Sequence, residues 1–161
     1  MSDEETMQIA LTVNGERVVR TVPVRQHLVD FLRIELGLTA AHLGCEHGIC
    51  GACSVRVDGA VVRGCLMLAV QTDGAAVVTL EGLADSGEIA DLQAAFVERN
   101  ALQCGYCTPG MLMTAAELLG QAAARSRDEI RTFLSGNYCR CTGYHAIVDA
   151  VATTLDKRLQ R

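Results

Sequence analysis

Apolar and polar positions alternate from Ile9 through Leu11 to Val13, the period of a half-buried strand. Asn14-Gly15 follows, a pair suited to the left-handed conformations of a two-residue hairpin turn, and Val18 to Val22 is rich in β-branched residues. The chain is therefore expected to open as a β-hairpin. Leu28, Phe31, Leu32 and Leu36 then recur at helical spacing. Alternation returns at Val55 and Val57, Asp58-Gly59 marks a second turn, Val61-Val62 leads back toward Cys65, and Val77 to Leu80 reads as a last strand. A small sheet crossed by one helix fits residues 7 to about 82.

From Glu88 onward the period is helical: Leu92, Ala95 and Phe96; Leu112, Ala115, Ala116 and Leu119; Ile130, Phe133 and Leu134; Ile147, Val148, Val151 and Leu155. Four short helices, forming a small bundle, are expected over 88–161. Pro109 suits a first helical turn, Ser126-x-x-Glu129 is a capping box, and Gly136 sits where a left-handed C-cap belongs. The stretch Gly82-Leu-Ala-Asp-Ser-Gly87 reads as a linker between a β-rich half and an α half.

Half of the 161 residues are hydrophobic, enough for a core, and the net charge is −5 without any basic run. That balance argues against a nucleic-acid partner. The N-terminus, Met1 to Met7, is acidic where a secretory signal would be positive and then apolar, and no stretch approaches membrane-spanning length. A cytoplasmic location is expected, where eight cysteines would not persist as structural disulfides.

The cysteines fall into two quartets, Cys45-x4-Cys50-x2-Cys53-x11-Cys65 and Cys104-x2-Cys107-x31-Cys139-x-Cys141. Two four-thiolate metal sites are the direct reading. The first has the C-x4-C-x2-C spacing of plant-type [2Fe–2S] ferredoxins, closed by a more distant fourth thiolate. Glycines among its ligands let backbone N–H groups approach and offset the charge of the thiolates. In the second, Thr108-Pro109 places a helix start beside two thiolates, which favours an anionic group. Cys45-x-His47 resembles half of a Rieske pair, but no C-x2-H follows, so His47 reads as an exposed loop residue. Ser54 and Thr108 stand where covalent haem attachment needs histidine. Structural zinc remains open, because four-cysteine zinc sites also use C-x2-C pairs.

Three segments resemble the [2Fe–2S] subunit or domain of the molybdenum hydroxylases, the xanthine oxidase and carbon monoxide dehydrogenase group: Gly44-Cys-x4-Cys50-Gly-Ala-Cys53, Gln103-Cys-Gly-Tyr-Cys-Thr-Pro-Gly-Met111, and Gly136-Asn-Tyr-Cys-Arg-Cys-Thr-Gly-Tyr144. The resemblance covers essentially the whole chain. It implies an α+β fold, with an N-terminal β-grasp, plant-type ferredoxin-like domain over 7–82 and a C-terminal four-helix [2Fe–2S]-binding bundle over 88–161. It implies that Cys45, Cys50, Cys53 and Cys65 hold one cluster, facing the FAD of a medium subunit. Cys104, Cys107, Cys139 and Cys141 would hold the other, nearest the molybdopterin cofactor of a large subunit, with Gln103 and Cys141 placed to hydrogen-bond the pterin. The implied function is an electron-transfer subunit without catalytic residues of its own, in an assembly of two copies each of three subunits. A cytosolic binding module with two structural zinc sites is the second reading. Three segments depart from the family pattern: Asn100 where glycine is frequent, Ala40-Ala41-His42 before the first loop, and Ala122 to Ala124 before Ser126. Asn100 fits if it caps a helix in the left-handed conformation.

Overall fold

The computed structural model describes residues 4–160; Met1 to Asp3 of the acidic N-terminus and Arg161 lie outside the described residues. Strands β1 (Thr6–Val13) and β2 (Glu16–Pro23) form the expected hairpin, with Val13 opposite Glu16. Asn14 and Gly15 have φ of 51° and 86°, the doubly left-handed turn that matches strand twist. Ile9, Leu11 and Val13 all point into the core. Helix α1 (Leu28–Asp30) continues as a π-helical turn, Phe31–Glu35, and buries Leu28, Val29, Phe31 and Leu32 completely. Each such side chain contributes roughly 1.5–3 kcal/mol by leaving water.

Strands β3 (Ser54–Val57) and β4 (Ala60–Arg63) form the second hairpin around left-handed Asp58 and Gly59. After a 3₁₀ turn at Ala69–Thr72 comes β5 (Ala76–Val78). The five strands lie in the order β2-β1-β5-β3-β4, with β1 and β5 parallel and the other pairs antiparallel. The fold is α+β, a mixed sheet followed by helices.

The last strand ends two residues before the expected Leu80. The Thr79 amide leaves the ladder to donate to the Asn14 side chain at 2.9 Å, and helix α2 (Leu80–Asp85) begins at once. The expected linker is therefore largely helical. Its Leu83 is 1% exposed and joins the core of the helical half, while Glu81 accepts the Ala40 amide at 2.8 Å.

Helices α3 (Ala90–Glu98), α4 (Thr108–Gly120), α5 (Arg127–Phe133) and α6 (His145–Leu159) stand where helical periodicity placed four helices. Their apolar faces share one core that includes Leu92, Phe96, Met111, Ile130, Ile147 and Val151. Asn100 closes α3 at φ 50°, with Ala101 N–H donating to Phe96 and Asn100 N–H to Val97, a Schellman closure. The Ser126 hydroxyl accepts the Glu129 amide and Glu129 accepts the Ser126 amide, completing the capping box. Gly136 differs from expectation. It ends a 3₁₀ turn, Leu134–Gly136, and does not have a positive φ; its lack of a side chain instead admits Arg63, whose Nη2 would lie 2.9 Å from a Cβ there. On the sheet's edge, the Val61 amide of β4 donates to Glu117 of α4 at 3.2 Å, so the helical half covers that strand.

Candidate metal centres

Three thiols of the first quartet, Cys45, Cys50 and Cys53, lie in the loop between the π-helical turn and β3, and the fourth, Cys65, follows β4. Left-handed Glu46, Gly48 and Gly51 curl this loop back on itself. A Cβ at Gly48 would also meet Leu66 Cδ1 at 2.2 Å and displace that exposed side chain. The curl aims the His47 and Cys50 amides at Cys45 Sγ, each at 3.4 Å. Those donors, Cys50 first and His47 second, lower the Cys45 thiol to about 6, so it favours the thiolate. Cys53 is buried at the start of β3, and burial pushes it up to about 11. Cys65 is buried beside it.

The second quartet is assembled from two distant turns. Cys107 is the N-cap residue of α4, its carbonyl accepting the Met111 amide, and Pro109 lies in the first turn as expected. Burial, and then the neighbouring Cys139 thiol, raise Cys107 to about 12. Burial also works against the Cys139 thiolate, but the Thr142 hydroxyl and amide outweigh it and bring this thiol below its ordinary value. Cys104 is lowered, first by the Tyr106 amide and then by the Cys141 thiol. Cys104, Cys141 and Gln103 are all exposed, so this quartet has one edge at the surface.

Thiols interact in pairs: Cys45 with Cys50 and Cys53 with Cys65 in one quartet, Cys104 with Cys141 and Cys107 with Cys139 in the other. Weaker electrostatic contacts join the pairs, Cys50 to Cys53 and Cys104 to Cys139. Among the described residues, no three His, Cys, Asp or Glu side chains gather as closely as one metal ion requires. Two pairs per site fit a two-iron cluster, in which each iron takes two protein ligands. The inward amides fit such a cluster too, because they offset its negative charge.

The quartets meet at a seam that spacing alone did not reveal. The Tyr138 amide donates to the Cys50 carbonyl at 2.8 Å. Beside it the buried Asn137 side chain donates to the Gly51 carbonyl at 3.4 Å and accepts from Thr114 Oγ1 at 3.1 Å and Arg63 Nη2 at 3.4 Å. Arg63 also donates to the Gly136 carbonyl at 2.8 Å and to the Ser54 hydroxyl. Contact is close enough to demand glycine on both sides. A Cβ at Gly51 would lie 2.7 Å from the Gly136 carbonyl, and one at Gly110 would lie 2.1 Å from the Gly51 carbonyl. Glycines inside both cysteine motifs were the one visible signal of this seam. His47 is exposed in the loop, as its sequence context suggested.

Comparison with known proteins follows the same two regions. Residues 11–79 match the family described as 2Fe-2S iron-sulfur cluster binding domain, and residues 79–152 match the [2Fe-2S] binding domain family. The chain is 52% identical over 146 residues to caffeine dehydrogenase subunit gamma of Pseudomonas sp. strain CBB1, covering 89% of this chain and 87% of that one. It is 49% identical over 150 residues to the nicotine 6-hydroxylase small subunit of Paenarthrobacter nicotinovorans, covering 93% and 90%. The crystal structure of quinoline 2-oxidoreductase from Pseudomonas putida 86 superposes with a TM-score of 0.90 at 46% identity, covering 97% of both chains.

Proposed function

We propose that this chain, which belongs to the small iron–sulfur subunits of the molybdenum hydroxylases, relays single electrons between a molybdopterin-bearing large subunit and an FAD-bearing medium subunit. The observation that carries this reading is the pairing of thiols, two pairs in each of two quartets. Cys45, Cys50, Cys53 and Cys65 hold one [2Fe–2S] cluster in a β-grasp, ferredoxin-like domain over 7–82. Cys104, Cys107, Cys139 and Cys141 hold the other in a four-helix domain over 88–161. When bound, each cluster supplies a one-electron carrier, so two in series divide a two-electron oxidation into single steps.

The protein's own part is to fix spacing, aim amides at sulfur and limit water. The seam supports a relay because the Cys50 carbonyl and Tyr138 amide connect one quartet to a neighbour of Cys139 through a single hydrogen bond. The exposed edge made by Gln103, Cys104 and Cys141 supports placing the second cluster toward the pterin. The first then faces the flavin, within an assembly of two copies each of three subunits in the cytoplasm. Among the described residues, no helix is long and apolar enough to cross a membrane. The relatives' names make N-heterocycles the first class to screen on the complete complex with a dye acceptor.

Metal analysis and EPR of the purified complex test the proposal. Iron with equal acid-labile sulfide, and two rhombic signals after dithionite reduction, are expected. Cys139→Ser should abolish one signal and spare the other. A colourless protein with zinc and no sulfide would replace the relay with a pair of structural zinc sites.

A further inference from the structure

Tyr106 stands between Cys104 and Cys107, yet its side chain crosses the seam to the segment before the first loop. Its hydroxyl donates to the Leu43 carbonyl at 2.9 Å. Its ring stacks on His42, with centroids 4.4 Å apart and 17° between planes. The same histidine returns to the tyrosine backbone, its Nδ1 lying 2.9 Å from the Tyr106 carbonyl, which can only accept. One residue is thus gripped at its ring and its main chain by a single partner 64 positions away.

The gripped ring lies beside Gly44. A Cβ built on Gly44 would lie 3.9 Å from Tyr106 Cε1 and 3.1 Å from Cys50 Sγ, so the ring edge and this thiol flank the same bare stretch of backbone. Meanwhile the Tyr106 amide is held toward the Cys104 thiol. Tyr106 is 48% exposed, and among the described residues the His42 stack and its hydroxyl bond to Leu43 are the side-chain contacts that restrain it.

We propose, building on the two-cluster reading above, that His42 is a positioning residue. It clamps Tyr106 so that the ring keeps water from the Cys50 side of the first cluster while the Tyr106 amide stays on Cys104 of the second. These two effects have opposite signs. A cluster gains negative charge on reduction, so excluding water lowers its potential, whereas a donated N–H at sulfur raises it. The clamp therefore holds the first potential down and the second up.

EPR-monitored redox titration of the intact complex tests this, with the second signal identified by its loss in Cys139→Ser. In His42→Ala the first midpoint should shift upward and the second should fall. Tyr106→Leu, which removes the ring and keeps the amide, should raise the first midpoint alone, and Tyr106→Phe, which keeps ring and stack, should leave both in place. Unchanged midpoints in His42→Ala or Tyr106→Leu, or equal shifts of both in one direction, would overturn the assignment. A wild-type complex lacking iron and sulfide would instead overturn the electron-relay reading on which it rests.

Discussion

The backbone amide of Tyr138 donates to the carbonyl of Cys50 at 2.8 Å, although the two belong to opposite halves of the chain. This bond joins a residue of the first thiol quartet to the chain neighbour of Cys139 in the second. Proline at 138 removes the donor, and Asn137, at φ −120° and ψ 114°, is already close to the extended conformation a residue before proline requires. Tyr138→Pro is expected to retain both EPR signals and to slow electron passage between the centres in rapid-freeze experiments. Equal rates in variant and wild type would remove this bond from the path.

Asn137 ties three segments through one buried amide. Its replacement by alanine takes the acceptor from the buried Thr114 hydroxyl, whereas the Gly51 carbonyl keeps its bonds from the Ser54 hydroxyl and amide. A cost of ~1–3 kcal/mol is expected for leaving buried polar groups unsatisfied. A shift in the denaturant midpoint at unchanged slope would measure it.

Gly110 and Gly120 belong to the same helix and should respond oppositely. A Cβ at Gly110 meets a backbone carbonyl, which cannot rotate away, whereas one at Gly120 meets nothing within 4 Å. Gly110→Ala should destabilise by ~1–3 kcal/mol or more, as overpacking does, and lower the iron content by parting the quartets. Gly120→Ala should be neutral or raise the melting temperature slightly.

Arg56 of β3 pairs in two-pronged fashion with Glu88, at 2.8 and 3.2 Å, and holds that carboxyl below its ordinary 4.5. The folded value lies beneath the unfolded one. Its stabilisation is therefore complete above pH 4.5 and is lost as the pH falls through the folded value. Because the pair is partly exposed, it contributes at most about 1 kcal/mol. Glu88→Gln should lower the melting temperature at neutral pH, and the gap to wild type should close in acid.

Hairpins at Asn14-Gly15 and Asp58-Gly59, the Ser126 capping box and the Asn100 helix closure were legible because each depends on residues within one or two turns of chain. Helix α2 was not legible in this way, because its start is fixed by Asn14, 65 positions from Thr79. Nor was the role of Gly136, which Arg63 reaches from 73 positions away. His42 looked like a local departure from a family pattern, and nothing near it in sequence announced Tyr106 as its partner.

By itself the sequence determined that eight thiols come in two quartets, that the first lies on a glycine-rich loop, and that helices follow a sheet. Local spacing and periodicity suffice for these, since they reflect the reach of a few residues. Only the tertiary structure decided that Cys53 pairs with Cys65, that Cys107 pairs with Cys139, and that Cys50 is bonded to the neighbour of Cys139. Those contacts exist because α4 packs over the sheet edge and brings Gly110 against Gly51, a placement set by burial across the whole chain.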